Sequence, residues 1–534
     1  MQTIAFRRRF ARSFALGLAW TLAAASQVGC EKPRSLPAAS GRPNLLWVVW
    51  DTVRADHLSL HGYGRPTTPK LDRWARQARV FDDCTSAAPT TTPSHASMFT
   101  GLLPSEHAAD NNRRRLDDRL TTLAELLSRA GYQTYLYSAN PSVSELENFT
   151  QGFDRAEHPW DAKRRTEAQR IVRAKCYAAG VSPPAQGTDR HGLAWELVAT
   201  GELAQRATLE WLRQCDPARP FFIFLNYMEA HQPYQPSEEY RLRMMTPEQV
   251  ARSYRVDHSW PSIWAYNFGL KEYSAEEMEI MAATYDAAIA ELDELFARLL
   301  AALEAEGYLK NTVVVLTSDH GECLGEHHLL GHIYSVYEPL IRVPLIISYP
   351  PRVPAGREPR PVSNLDLFAT LLELAGVEPP DDLAGRVVSL LAPPDQRLRL
   401  AEMPAVSETP LKALRRTHPD WDPSPWRRSL RALYSDRYKY IWGSDGRHEL
   451  YDLAADPGEL SNLIGRVELA QRLAADLAEY VSTLRVAARP DSGQGPVPTE
   501  HLRRLAALGY VDMPDEADQS TTTSSAPADL EAEP

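Results

Sequence analysis

Residues Asn44–Trp50, NLLWVVW, form an unbroken apolar run that stops abruptly at Asp51. A run of this length bounded by polar residues predicts a strand buried on both faces, as in a parallel sheet covered by helices. The pattern returns three times. Phe221–Leu225 ends in Asn226 and leads to His231, Thr312–Thr317 leads to Asp319 and His320, and Val343–Ser348 follows. Between the runs lie helical stretches. The longest is expected over Glu276–Glu306, where Met281, Tyr285, Ile289, Leu292, Phe296, Leu299 and Leu303 recur every three or four residues. Ser274 with Glu277 reads as its capping box and Gly307 as its stop. Strands alternating with helices imply an α/β fold with a large, mainly parallel sheet, whose ligands bind beyond the carboxyl ends of the strands. Asp51, His231, Asp319 and His320 all fall there.

The chain has 534 residues, room for more than one domain at about 150 residues each. Residues 44–395 carry the strand–helix alternation and are read as one large α/β domain. From about Leu400 the segments shorten; Ser429–Trp442 alternates like sheet strands and Val467–Val486 is helical, so residues 396–513 are expected to form a smaller α+β unit. Residues 514–534, acidic and nearly without large apolar groups, are expected to be disordered. At the other end, Arg7, Arg8, Arg9 and Arg12 precede an apolar stretch from Phe14 to Ala25, the order of a signal peptide over residues 1–30, with a linker at 31–43. Ala23–Ser26 offers a cleavage site. Val28-Gly29-Cys30 resembles a lipoprotein box, although Gln27 stands where Leu is usual, and the Arg-rich start followed by Phe10 resembles a twin-arginine signal. The expectation is an exported, periplasmic or extracytoplasmic protein with a membrane tether through lipidated Cys30 as one of the two endings. The net charge of −12 argues against a broad nucleic-acid surface. Five cysteines without a CxxC pair indicate neither a zinc ribbon nor a thioredoxin-like motif.

Two carboxylates and an imidazole at strand ends suit one divalent cation, Ca, Mn or Zn, so Asp51, Asp319 and His320 are candidate metal ligands. In Pro89–Gly101, PTTTPSHASMFTG, Thr91 stands just ahead of Pro93, which predicts a helix start. A hydroxyl at that point meets positive potential and free backbone N–H groups, a setting for binding and attacking an anionic ester. The other reading of Thr91 is an ordinary helix cap.

The stretch RPNLLWVVWDTVRADHLSLHGYGRPTTPKLDRWARQARVFDDC resembles the opening of the sulfatase family, within the alkaline phosphatase superfamily. TTPSHASMFTGLLPSEH is similar to its nucleophile motif, TSDHGECLGEHHLLGHIYSVYEPLIRVPLII to its second metal motif, and HELYDLAADPGELSN to its C-terminal signature. The resemblance implies an alkaline-phosphatase-like fold, and it places Asp51, Asp319 and His320 on metal positions. It also shows departures. Thr52 stands where the family has a second aspartate. Thr91 occupies the position that sulfatases convert to formylglycine, and its Cβ methyl excludes that aldehyde, so no formylglycine is expected. His95 replaces the motif's Arg and His332 a Lys, while Asn140 is left as a polar contact for substrate. The TTPSH segment is similar in its site to the Thr motif of nucleotide pyrophosphatase/phosphodiesterases, and phosphoglycerol and phosphoethanolamine transferases also use Thr. Their second zinc site needs more ligands; Glu229, His231 and His332 are the nearest residues, and one metal is expected.

The resemblance thus implies a metal-dependent hydrolase that cleaves a sulfate or phosphate ester through Thr91, which also contacts the metal. His231, with His332 as alternative or partner, would protonate the leaving oxygen. The substrate class is a small anionic ester or a sulfated or phosphorylated glycan or lipid, with no nucleic acid. Transfer to an envelope alcohol, phosphodiester cleavage and non-catalytic ester or glycan binding are the rival readings.

Overall fold

The structure, a computed structural model, describes residues 41–178, 180, 190–384, 386–393, 397–404, 406–485 and 497–511. The leader with Cys30 and the acidic tail lie outside the described residues. The large sheet has nine strands: β1 (Asn44–Trp50), β2 (Arg79–Thr85), β3 (Gln133–Ser138), β4 (Arg155–Glu157), β5 (Phe221–Tyr227), β6 (Thr312–Thr317), β9 (Arg342–Ser348), β10 (Gly356–Glu358) and β11 (Val362–Ser363). The short β7 (Cys323–Leu324) and β8 (Leu330–Gly331) make a separate two-stranded ribbon. The order across the sheet is β10-β2-β9-β6-β1-β5-β3-β4, with β11 on β2.

β1 lies inside the sheet because it can be buried on both faces. Leu46, Val48 and Trp50 join one core cluster, and Leu45, Trp47 and Val49 join the other. This is the two-residue period of a strand read out as two cores. β5, β1, β6 and β3 run parallel, whereas β9 is antiparallel to both β6 and β2, so the sheet is mixed but mostly parallel. An apolar run reports burial on both faces and carries no information on direction, which is why Val343–Ser348 does not reveal its reversal in sequence.

Three helices position the site. α1 (Thr91–Thr100) is buried over its whole length and ends at Gly101 in the left-handed region. α2 (Ala275–Ala305) covers the first core with Tyr285, Ile289, Leu292, Phe296, Leu299 and Leu303. Its capping box is closed: Ser274 Oγ accepts from Glu277 N at 3.2 Å, and Ser274 N donates to Glu277 Oε2 at 2.8 Å. α3 (Thr499–Ala507) packs on the helix Arg190–Val198.

A second, antiparallel sheet comprises β12 (Arg399–Met403), β13 (Leu430–Ser435), β14 (Tyr438–Gly443) and β15 (Glu449–Asp452), in that order. The helix Val467–Ser482 packs on it through Leu473 and Leu477, in a cluster that also takes in Ala87 and Leu103 on either side of α1. The described cysteines Cys84, Cys176, Cys215 and Cys323 are unpaired. No described helix is long and apolar enough to cross a membrane.

Candidate active site

The parallel register brings several strand ends level. Val49 of β1 is the partner of Asn226 on β5 and of Thr317 on β6, and Ser138 of β3 also pairs with Asn226. The residues that follow therefore converge: Asp51 after β1, Asn140 after β3, His231 after β5, and Asp319 with His320 after β6. Ligand atoms of Asp51, Asp319 and His320 lie within 4.8 Å of one another, the one such group of at least three metal-ligating residue types among the described residues.

The donor set fits a cation. Asp51 Oδ2 accepts from Asn140 Nδ2 at 3.0 Å and Asn226 Nδ2 at 3.1 Å, while Oδ1 is buried without a partner. Asp319 Oδ1 accepts from the backbone N–H of Thr52 at 3.2 Å and of His320 at 2.9 Å, again leaving Oδ2 buried and unpartnered. His320 Nδ1 sits 2.9 Å from the Gly321 carbonyl, which fixes the proton on Nδ1 and frees the Nε2 lone pair. Two orphaned carboxylate oxygens and an imidazole nitrogen without a proton, in residues whose ligand atoms lie this close, are what a divalent cation would satisfy. Burial, and then repulsion from Asp319, pushes the Asp51 carboxyl up to about 8; burial pushes Asp319 up to about 7. Burial lowers His320 to about 4, so its ring is neutral and able to ligate.

The side chain of Thr52, which replaces an expected aspartate, points away from this group, although its backbone N–H holds Asp319. Its hydroxyl donates to the Ala230 carbonyl at 2.7 Å. The backbone here has a φ of 61°, costly for a β-branched residue, and Tyr285 of α2 braces the turn by donating to the Thr52 carbonyl at 2.7 Å and accepting from Arg54 N at 2.9 Å.

Thr91 is the first residue of α1, but the N-cap is Thr90, and Thr91 makes no cap bond. Its Oγ1 points into the site: 3.3 Å from His320 Nε2, 3.5 Å from Asn140 Nδ2 and 3.1 Å from the Tyr510 hydroxyl. α1 is tied to the metal-ligand turn by Ser94 Oγ, which donates to the Asp319 carbonyl at 2.7 Å.

The histidines divide by position. His231 Nε2 is 3.1 Å from the Tyr510 hydroxyl, and its ring centroid is 5.1 Å from that of His332. His332 stands 4.6 Å from His320, ring to ring, and its Nδ1 is 2.9 Å from Glu322 Oε1, a buried carboxyl raised to about 8 by burial. Burial drives His231 well below the usual imidazole range and His332 down to about 3. His95 lies under the nucleophile turn, its Nδ1 3.0 Å from the Thr91 carbonyl and 3.5 Å from Asp319 Oδ2, among Phe99, Phe149 and Phe224. It is placed to hold the turn and Asp319. Glu229 faces away from the group and accepts from Gly201 N at 2.6 Å.

Sequence reasoning missed Asn226, Glu322, Ser94 and Tyr510. Asn226 had a signal, its place at a strand's end beside Asp51; Tyr510 had none, since a single Tyr far along the chain is brought in only by tertiary packing.

Residues 43–377 match the sulfatase family model, and residues 325–487 match the model for the C-terminal region of N-sulphoglucosamine sulphohydrolase. An N-acetylglucosamine-6-O-sulfatase of Bacteroides thetaiotaomicron is 25% identical, over 84% of this chain and 87% of its own. A multifunctional alkaline phosphatase superfamily protein of Trinickia caryophylli is 28% identical, over 79% of this chain and 91% of its own. Among solved structures, the phosphonate monoester hydrolase of Agrobacterium radiobacter superposes with a TM-score of 0.64 at 22% identity, covering 83% of this chain and 95% of that one. A protein solved in complex with its substrate D-glucosamine-2-N,6-O-disulfate superposes with a TM-score of 0.61 at 21% identity, over 83% of this chain and 97% of that one.

Proposed function

The chain belongs to the sulfatase family and is a hydrolase of sulfuric or phosphoric ester bonds, and from that premise we propose that it works through an unmodified Thr91 nucleophile beside one divalent cation held by Asp51, Asp319 and His320. The observation that carries this reading is the Thr91 hydroxyl itself. It is buried, released from any capping duty, and 3.3 Å from the free nitrogen of His320. A bound cation supplies charge neutralisation on the ester's oxygens and lowers the hydroxyl pKa.

The protein's own groups account for the rest. Asn140 Nδ2, which donates to Asp51 and to the Tyr510 oxygen, turns the second hydrogen to a non-bridging ester oxygen when substrate binds. Thr91 Oγ1 forms a bond to sulfur or phosphorus as the bond from that atom to the leaving oxygen breaks. His231 protonates the leaving oxygen, with His332, oriented by Glu322, as its partner; such acid help is typically worth about 10²–10⁴-fold. Water then displaces Thr91 in a second substitution at the same central atom. The hydrate-collapse route of formylglycine is closed to a residue with a methyl on Cβ. A second substitution is ordinary phosphoryl chemistry, so Thr91 favours phosphate, while relatives named for sulfated glucosamine and for ulvan favour a sulfated glycan; the reading therefore takes in both ester types on a saccharide. The Arg-rich, apolar leader supports action outside the cytoplasm, either secreted after cleavage at Ala23–Ser26 or tethered through a lipidated Cys30.

The test is turnover of aryl sulfate, phosphate monoester and phosphate diester panels by the metal-loaded protein beside Thr91→Ala. At least one panel is turned over, Thr91→Ala loses about 10³-fold or more, and the intact mass of the Thr91 peptide is unmodified. Equal activity of the two proteins on every substrate would remove Thr91 from the mechanism.

A further inference from the structure

Tyr510 reaches the site from the turn that follows α3, and it is held from several sides. Leu508 is buried among Ala139, Leu197, Val198 and Met228. Gly509 turns with a φ of 76° against the Trp260 ring, and the Tyr510 carbonyl accepts from Thr409 Oγ1 at 3.3 Å. The phenol is thereby built into the wall of the site.

Its hydroxyl touches three members of the catalytic group, and the hydrogens can be assigned. Asn140 Oδ1 accepts from Ser142 N at 2.9 Å, which fixes the amide's orientation. The two Nδ2 hydrogens then go to Asp51 Oδ2 and, at 3.0 Å, to the Tyr510 oxygen. His231 Nδ1 lies 2.6 Å from the Gln232 carbonyl, an acceptor only, so in the neutral ring Nδ1 carries the proton and Nε2 accepts. The phenol hydrogen therefore goes to His231 Nε2 at 3.1 Å, leaving a phenol lone pair for the Thr91 hydroxyl at 3.1 Å. The other acceptors near Thr91, His320 Nε2 and the Asp319 carboxylate, belong to the candidate cation-ligating set.

We infer that Tyr510 is a catalytic residue that relays the Thr91 proton to His231. As Thr91 Oγ1 bonds to sulfur or phosphorus, its hydrogen passes to the Tyr510 oxygen and the phenol's own hydrogen passes to His231 Nε2. The imidazolium so formed gives that proton to the ester's departing oxygen. The nucleophile's proton is balanced by the proton gained by the leaving alcohol, no electron changes hands, and the phenol ends as it began. The same tyrosine joins the nucleophile to the general acid, a link absent from the motif reading. The inference rests on the Thr91 reading.

The test compares wild type, Thr91→Ala, Tyr510→Phe, His231→Gln and the Tyr510→Phe/His231→Gln pair, each with a thermal melt. Tyr510→Phe is expected to lower kcat about 10²-fold with KM within about twofold. The double variant should be no slower than His231→Gln, since both substitutions break one chain. Labelling of Thr91 by an aryl fluorophosphonate, read by intact mass, needs no turnover and should slow about 10²-fold in Tyr510→Phe. The relay is overturned by wild-type turnover or labelling in Tyr510→Phe, by faster turnover, which would make the phenol a plug, or by losses that multiply in the double variant. Turnover or labelling that survives Thr91→Ala overturns the nucleophile reading and the relay together. A dead Thr91→Ala beside a fully active Tyr510→Phe overturns the relay alone.

Discussion

Asp51 Oδ1 and Asp319 Oδ2 are buried without a hydrogen-bond partner, on carboxylates that come within 4.8 Å of each other. Without a cation this arrangement opposes folding, because each carboxylate must be desolvated beside the other. The Asp51 value of about 8, raised first by burial and then by Asp319, fixes the sign. A folded value above the ordinary carboxylate means that the metal-free protein binds the proton more tightly than the unfolded chain. This stability is fully present below about pH 4 and is lost as pH rises towards 8. Asp51→Asn keeps the shape and removes the charge. In EDTA near neutral pH the variant should be more stable than wild type by on the order of 2 kcal/mol, with a melting temperature that falls less between about pH 5 and pH 8. Added Mn or Ca should raise the wild-type melt and leave that of Asp51→Asn nearly unmoved. A variant that melts below wild type in EDTA at about pH 8 would contradict this account. That Asp51 and Asp319 come together was legible in the sequence because an apolar run that stops at an acidic residue marks both a buried strand and its carboxyl end. The Asn226 bond to Asp51 was not, since it depends on the register between β1 and β5.

The elements of the sheet were legible for the same reason. α2 runs over Ala275–Ala305, one residue from its expected span at each end, and its capping box is the one expected. Direction was less visible: β9 has the composition of its parallel neighbours but runs against β6 and β2. α3 escaped notice because its apolar residues are few; Leu505 is buried, and Leu508 becomes core only when the chain returns from the second sheet to pack near Ala139 and Met228. Gly509 is the hinge of that return. A Cβ there would lie 2.5 Å from the Trp260 ring, and the φ of 76° disfavours any other residue. Gly509→Ala should therefore shift Tyr510 out of line with Thr91 and His231. We expect kcat to fall at least about 10-fold while the melt drops by only a few degrees, because α3 stays anchored by His501, 3.2 Å from Glu147, and by Leu505. Wild-type kcat in this variant would mean that the phenol position tolerates such a shift.

On the scale of the whole molecule, the site is assembled from nearly the full length of the chain. Strand ends of the large sheet supply the metal-ligand positions, α1 supplies Thr91, and the segment beyond the second sheet supplies Tyr510. The two sheets meet around α1: Ala87 and Leu103 pack with Leu400, Leu433, Tyr440 and Leu450, and the Arg399 guanidinium of β12 bonds Asp83 of β2 at 3.0 Å. The net charge of −12 gives no general attraction for an anionic ester, so on the proposed function recognition falls to local features: the α1 start, Asn140 and a cation held by Asp51, Asp319 and His320. The segment 497–511 contributes to the site without carrying the fold, since the four largest apolar clusters contain none of its residues. A chain ended after Pro498 should accordingly retain both sheets, with a cooperative melt lowered by several degrees for the loss of Leu505 and Leu508 from their pockets. It should lose turnover at least as fully as Tyr510→Phe and should also show a raised KM, because removing the segment opens the wall beside His231 and Trp260 as well as taking away the phenol. Circular dichroism, melting and steady-state kinetics on the same preparation separate these effects. Wild-type kcat and KM in the shortened chain would show that the C-terminal segment covers the site without taking part in it.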